Sequence, residues 1–154
     1  MLETPHVVVG AAIAVKVVNP ALAVPIAFTS HFILDSILHW NPHTYTETMK
    51  HGRPTNRSLS IAFVDAAAAL VIGSAIALSQ LPNIALVATV FICCFAAVLS
   101  DVIKSPFYLF KKNKGLIKKW VDLERKIQVE TPNAFLGISI QLVIIAASLI
   151  WMYT

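Results

Sequence analysis

From Ala66 to Ser100 the chain carries no Asp, Glu, Lys or Arg, and none falls between Thr131 and Thr154. Uninterrupted apolar runs of this length are long enough to cross a bilayer as helices, in which every backbone polar group is satisfied within the segment. Composition agrees: of 154 residues, 57% are hydrophobic and 13% charged, against roughly 25% charged in soluble domains. The expected class is all-α and polytopic: one domain over residues 1–154, with about five hydrophobic helices and one interfacial amphipathic helix. Residues 1–20 do not read as a cleaved signal peptide. They lack a basic leading region, and the first apolar run starts after Glu3 and Pro5.

Helix-start chemistry divides the chain. Thr4-Pro5 opens a first helix to about Val18, short enough to be re-entrant or covered by its neighbours. Asn19-Pro20 opens a second, to about Trp40, with Pro25 as a candidate kink. Residues 41–57, with Pro42, Gly52 and Pro54, read as a loop. A third helix runs from about Ser58 to Ser79, with Gly73 and Ala77 as a close-packing face. A turn at Leu81-Pro82-Asn83 leads to a fourth, from about Ile84 to Ile103. Thr131-Pro132 opens a fifth, to about Met152. Between these last two, Leu116, Ile117, Trp120, Leu123 and Ile127 recur at helical spacing among basic residues. That pattern makes segment 105–130 an amphipathic helix in the interface, with Asp122, Glu124 and Glu130 on its solvated face. The adjacent Cys93 and Cys94 point about 100° apart on a helix and read as small packing residues, not a disulfide.

The net charge of +4 is concentrated in two loops, one with Lys50, Arg53 and Arg57, the other with Lys104, Lys111, Lys112, Lys114, Lys118, Lys119, Arg125 and Lys126. Basic loops mark the cytoplasmic side and attract anionic lipid, here at segment 111–126. No aromatic-interleaved basic motif points to nucleic acid, and none is expected as a partner. With both loops cytoplasmic, the N-terminus is inside and the C-terminus outside.

That topology gathers the polar residues of the apolar helices. His31, Asp35 and His39 stand at i, i+4 and i+8, on one helix face. His6, Asp65 and Asp101 lie at helix positions in the same cytoplasmic half. Ionisable side chains are expensive in hydrocarbon, which makes such a grouping a functional expectation. Imidazole and carboxylate on neighbouring turns can chelate a divalent ion: Zn²⁺ first, with Mn²⁺ or Fe²⁺ as alternatives. Asp65 and Asp101 are candidates for a further ligand or a general base. Each residue also has an ordinary role open to it, as an interhelical hydrogen bond, a helix start, or, for Asp101, a pair with Lys104 at i+3.

Thr4-Pro5-His6 with Gly10, then Leu34-Asp35 with His39, then His51 with Thr55, Ser58 and Leu59 resemble a bacterial inner-membrane family described as membrane-bound metal-dependent hydrolases. The resemblance covers residues 4–60. It implies a helical inner-membrane hydrolase with a divalent metal, and it points to His6, Asp35, His39 and His51. The family's loop has a second His, where this chain has Asn56.

Three functions are thus in play. The first is a metal-dependent hydrolase of a phospholipid or lipid-linked substrate at the cytoplasmic face. The second is a non-enzymatic scaffold or regulator docked through the basic segment. The third is a metal-ion or proton transporter, disfavoured because the outer halves of the later helices offer mainly Ser74, Ser79, Thr89, Gln141 and Ser148.

Overall fold

In a computed structural model, which describes residues 1–110 and 115–154, the chain is all-helical. The helices are α1 (Glu3–Lys16), α2 (Pro20–Asp35), α3 (Thr44–His51), α4 (Asn56–Leu78), α5 (Ile84–Leu109), α6 (Gly115–Arg125) and α7 (Ala134–Tyr153). Helices α4, α5 and α7 are long and apolar enough to cross a membrane, and α2 is a shorter apolar helix. This is the architecture of a helical membrane protein. Leu70 and Val71 of α4, Phe91 and Phe95 of α5, and Leu142 and Val143 of α7 are exposed on the outer surface, where lipid replaces water as the solvent.

Helix α1 is the hub. Its 14 residues make a rod of about 21 Å, short of the roughly 30 Å hydrocarbon core. It is packed by α2, α4, α5 and α7 instead of facing lipid. Small residues let the neighbours close in. A Cβ on Gly10 would stand 2.8 Å from the Cys93 carbonyl oxygen and 2.9 Å from Ala97 Cβ, so α1 and α5 touch almost backbone to backbone. Cys93 and Cys94 are buried and free, in the packing role expected of them.

Asparagine and threonine caps set most helix starts. Asn19, Thr55, Asn83 and Asn133 each accept a bond from a backbone N–H in the first turn of α2, α4, α5 and α7. Helix α1 differs from the Thr4 cap expected of it. Leu2 occupies the cap position without a side-chain bond, and Asp65 of α4 supplies the acceptors. Its carboxylate takes the Glu3 N–H (2.5 Å) and the Thr4 hydroxyl (2.7 Å).

Several boundaries depart from the sequence reading. Helix α2 stops at Asp35, not Trp40, because the next residues pair elsewhere. The His39 N–H donates to Val129 O (3.1 Å), the Thr131 N–H to His39 O (2.9 Å), and the Val129 N–H to Asp35 O (3.0 Å). His39 is therefore held on an extended bridge, not on the helix face of Asp35. Residues 41–57 contain helix α3. Residues 105–109 continue α5 through Pro106, and the amphipathic helix ends at Arg125. Lys111, Lys112 and Lys114 lie outside the described residues; of the remaining basic segment, Lys119 and Lys126 are exposed.

Candidate metal centre

Five segments converge at one end of the bundle. The first turns of α1 bring His6, the end of α2 brings His31 and Asp35, the bridge brings His39, α5 brings Asp101 and Lys104, and α6 brings Glu124. His6, His31, Asp35, His39, Lys104 and Glu124 are all buried.

Two of the imidazoles, those of His31 and His39, are held with their Nε2 atoms turned inward, while neither nitrogen of His6 has a hydrogen-bond partner. His31 Nδ1 is 2.8 Å from the Ala97 carbonyl, and His39 Nδ1 is 2.8 Å from the Ile37 carbonyl. A carbonyl oxygen only accepts, so each Nδ1 carries the proton, and Nε2 of the neutral ring presents a lone pair. Those atoms find no donor: Nε2 of His6, His31 and His39 and Oδ2 of Asp101 are buried without a hydrogen-bond partner. They face oxygens instead. His31 Nε2 is 3.6 Å from Asp35 Oδ2, 3.7 Å from Asp101 Oδ2 and 3.8 Å from Glu124 Oε1. Nε2 of His6 and His39 lie 3.4 and 4.0 Å from Asp35 Oδ1. The His6 and His31 rings stack at 4.2 Å.

Lone pairs facing carboxylate oxygens repel unless something cationic lies between them. Two ligands each about 2.1 Å from one ion, at a tetrahedral angle, stand about 3.4 Å apart, close to the observed spacings. One ligand atom each from His6, His31 and Asp101 lie within 4.8 Å of one another. Backbone carbonyls orienting Nδ1–H are the usual outer support of a metal-bound histidine. The residues present therefore fit a divalent cation.

A surrounding shell holds the carboxylates. Asp35 Oδ2 accepts from Gln128 Nε2 (2.8 Å), and its Oδ1 lies 2.5 Å from the Met1 nitrogen. Lys104 Nζ pairs with Asp101 Oδ1 at 2.6 Å and with Glu124. Trp120 Nε1–H donates to Ser100 Oγ (2.8 Å), whose hydroxyl donates to Glu124. Burial pushes the Glu124 carboxyl above its ordinary range, with Lys104 opposing. Buried charges must be partnered, and three carboxylates, those of Asp35, Asp101 and Glu124, meet two cations here, Lys104 and the Met1 ammonium.

Of the residues singled out in the sequence, His6, His31, Asp35, His39 and Asp101 come together. His51 does not; it is exposed at the end of α3. Asp65 caps α1 and stands apart from the imidazoles. Glu124 is buried in the cluster, not on a solvated face. Its signal was its register: it falls seven residues after Ile117 and four after Trp120, on the apolar stripe of α6. Lys104, Gln128 and the half-buried Glu3, whose Oε2 lacks a partner, carry no comparable signal. Gln141 is also not an outer residue. It accepts from the Leu2 N–H (2.9 Å) and donates to Trp40 O (2.9 Å), bracing this end of the bundle.

No family model, curated protein or solved structure matches the chain.

Proposed function

We propose that the chain is a membrane-embedded metal-dependent hydrolase acting on a phospholipid or related lipid-linked substrate. The observation that carries this reading is the set of three buried, inward-facing Nε2 atoms without donors, set against Asp35 and Asp101. His6, His31, Asp35, His39 and Asp101 would hold the ion, with Zn²⁺ first and Mn²⁺ or Fe²⁺ as alternatives. Bound there, a divalent ion would supply an activated water as nucleophile near neutral pH. The resemblance to the inner-membrane hydrolase family supports the same class.

The chain's own groups supply the rest. Glu124, raised by burial and within reach of Lys104, takes a proton from the attacking water and returns it to the leaving group. Lys104 offers a cation to charge developing on the reacting centre. The cluster lies at the end that carries Lys50, Arg53, Arg57, Lys118, Lys119, Arg125 and Lys126. The positive-inside bias makes that end cytoplasmic, in a bacterial-type inner membrane with the N-terminus inside and the C-terminus outside. Substrate then enters from the cytoplasmic leaflet, and the exposed Lys119 and Lys126 favour anionic lipid at that face.

The transporter reading is weaker, because the core beyond the cluster is apolar: Val8, Ala11, Ala14, Ile76, Ala77 and Val90. A polar relay has no continuation among the described residues there.

The test is hydrolysis of headgroup-labelled phospholipids by protein in nanodiscs, reloaded with Zn²⁺, Mn²⁺ or Fe²⁺. Turnover that falls to background in His31→Ala and in Asp101→Asn, with both variants monodisperse, is the expected result. Turnover indifferent to both variants and to chelator, or no turnover of any phosphoester or ester lipid with any of the ions, contradicts the reading.

A further inference from the structure

Asp101, at the edge of the cluster, borders two openings of different chemistry. One opening is a cavity of about 230 Å³ with Tyr45, Asp101, Lys104, Tyr108 and Arg125 on its walls. The other is an apolar groove of about 440 Å³ between α4 and α5, walled by Leu70, Ser74, Phe91, Phe95 and Val102, with Val7 of α1 behind them. The two meet: Glu3, Ala66, Asp101 and Ser105 border both.

We infer that the α4–α5 groove seats a hydrocarbon chain of the phospholipid whose headgroup occupies the polar cavity. This deepens the hydrolase reading and rests on it for the headgroup's fate. Three observations point to a lipid chain as the occupant. Both helices are membrane spans, and Leu70, Phe91, Phe95 and Val102 are exposed on them, so the groove is entered from the hydrocarbon phase. On α5 the groove lining runs from Ser105 back to Phe91, about 21 Å of helix, of which the apolar stretch beyond Asp101 takes up about 15 Å, close to the depth of one leaflet of a roughly 30 Å core. Its polar end is Asp101, which faces His31, so a chain lying along it delivers its own headgroup, not that of a distant lipid, to the cluster.

The experiment is photolabelling in phosphatidylcholine vesicles doped with a phospholipid bearing a diazirine in mid-chain, with adducts mapped by mass spectrometry. Labelling concentrated on Phe91, Phe95 and Ser74, above that on the equally lipid-facing Leu142 and Val143 of α7, is expected. Ser74→Phe, which fills the groove, should lower the groove adducts several-fold by steric exclusion. Ser74→Ala should leave them unchanged, and neither variant should alter the α7 adducts. An excess of unlabelled single-chain phospholipid should compete away the groove adducts alone. Even labelling of the groove and the α7 face, a Ser74→Phe variant that labels normally, or cross-links from the groove to a second copy of the chain would overturn the assignment. His31→Ala separates the two readings. It should abolish hydrolysis and keep the groove adducts, whereas undiminished lipid turnover in a Ser74→Phe variant that has lost its groove adducts overturns the groove as the substrate's seat and leaves the hydrolase reading standing.

Discussion

At the scale of single residues, the decisive feature is which nitrogen each imidazole turns inward. The Ala97 and Ile37 carbonyls hold the Nδ1–H of His31 and His39, which leaves Nε2 bare against carboxylates. A purely structural histidine in an apolar bundle would satisfy both nitrogens. A second residue-level device lies at the polar end. Glu47 of α3 accepts from the Thr55 N–H (2.7 Å), the Thr55 hydroxyl (3.1 Å) and the Ser58 hydroxyl (3.0 Å), tying α3 to the start of α4. Slight desolvation acts to raise its carboxyl pKa, but these hydrogen bonds outweigh it and hold the pKa below the ordinary 4.5. A depressed folded-state pKa means the folded state binds fewer protons than the unfolded one. The stability it contributes is then full above the unfolded value and fades as pH falls through the folded one. Protection of the α3–α4 connection from proteolysis should therefore decline as pH drops below about 4.5. Glu47→Gln should make that protection lower and flat with pH; an unchanged pH profile in the variant would remove Glu47 as its source.

At the scale of elements, close approach is what fixes the site. The segment after α2 crosses α7 at Gly137, where a Cβ would stand 2.3 Å from the Trp40 nitrogen. That contact, with the Gln141 brace, seats the bridge that carries His39. Gly137→Ala should gain roughly 0.5–1 kcal/mol of helix propensity yet lose about 1–3 kcal/mol to overpacking. A lower thermal midpoint in detergent is the expected net result, and a raised one would show that Trp40 can shift aside freely. The same crossing explains what was legible in the sequence. The Asn19-Pro20 cap and the long apolar runs located the starts of α2, α4, α5 and α7 within a few residues, because those signals are local. The end of α2 was not legible, since Ser36 to Trp40 are mostly apolar and leave the helix only to pair with residues 128–131, far away in the chain. Helix α3 was masked by Pro42, Gly52 and Pro54, which bound it instead of breaking it.

At the scale of the whole molecule, polarity is split end from end. The buried charges and the basic surface share one end, and small apolar side chains around α1 fill the other. The grouping of His6, His31, Asp35, His39 and Asp101 followed from counting helices and alternating their direction, which is why most of the site was readable. Glu124 was not, because an amphipathic helix flat on a membrane and one whose apolar stripe packs against α5 have the same pattern. Nor was the place of Gln141, which depends on how deeply α7 sits beside α1. A divalent cation held at this polar end is measurable by elemental mass spectrometry on detergent-purified protein, with wild type beside the Asp35→Ala/His39→Ala double variant. Near-stoichiometric Zn, Mn or Fe in wild type and its loss in a monodisperse double variant are the expected result. Wild-type protein free of all three, even after reloading with each ion, would contradict it.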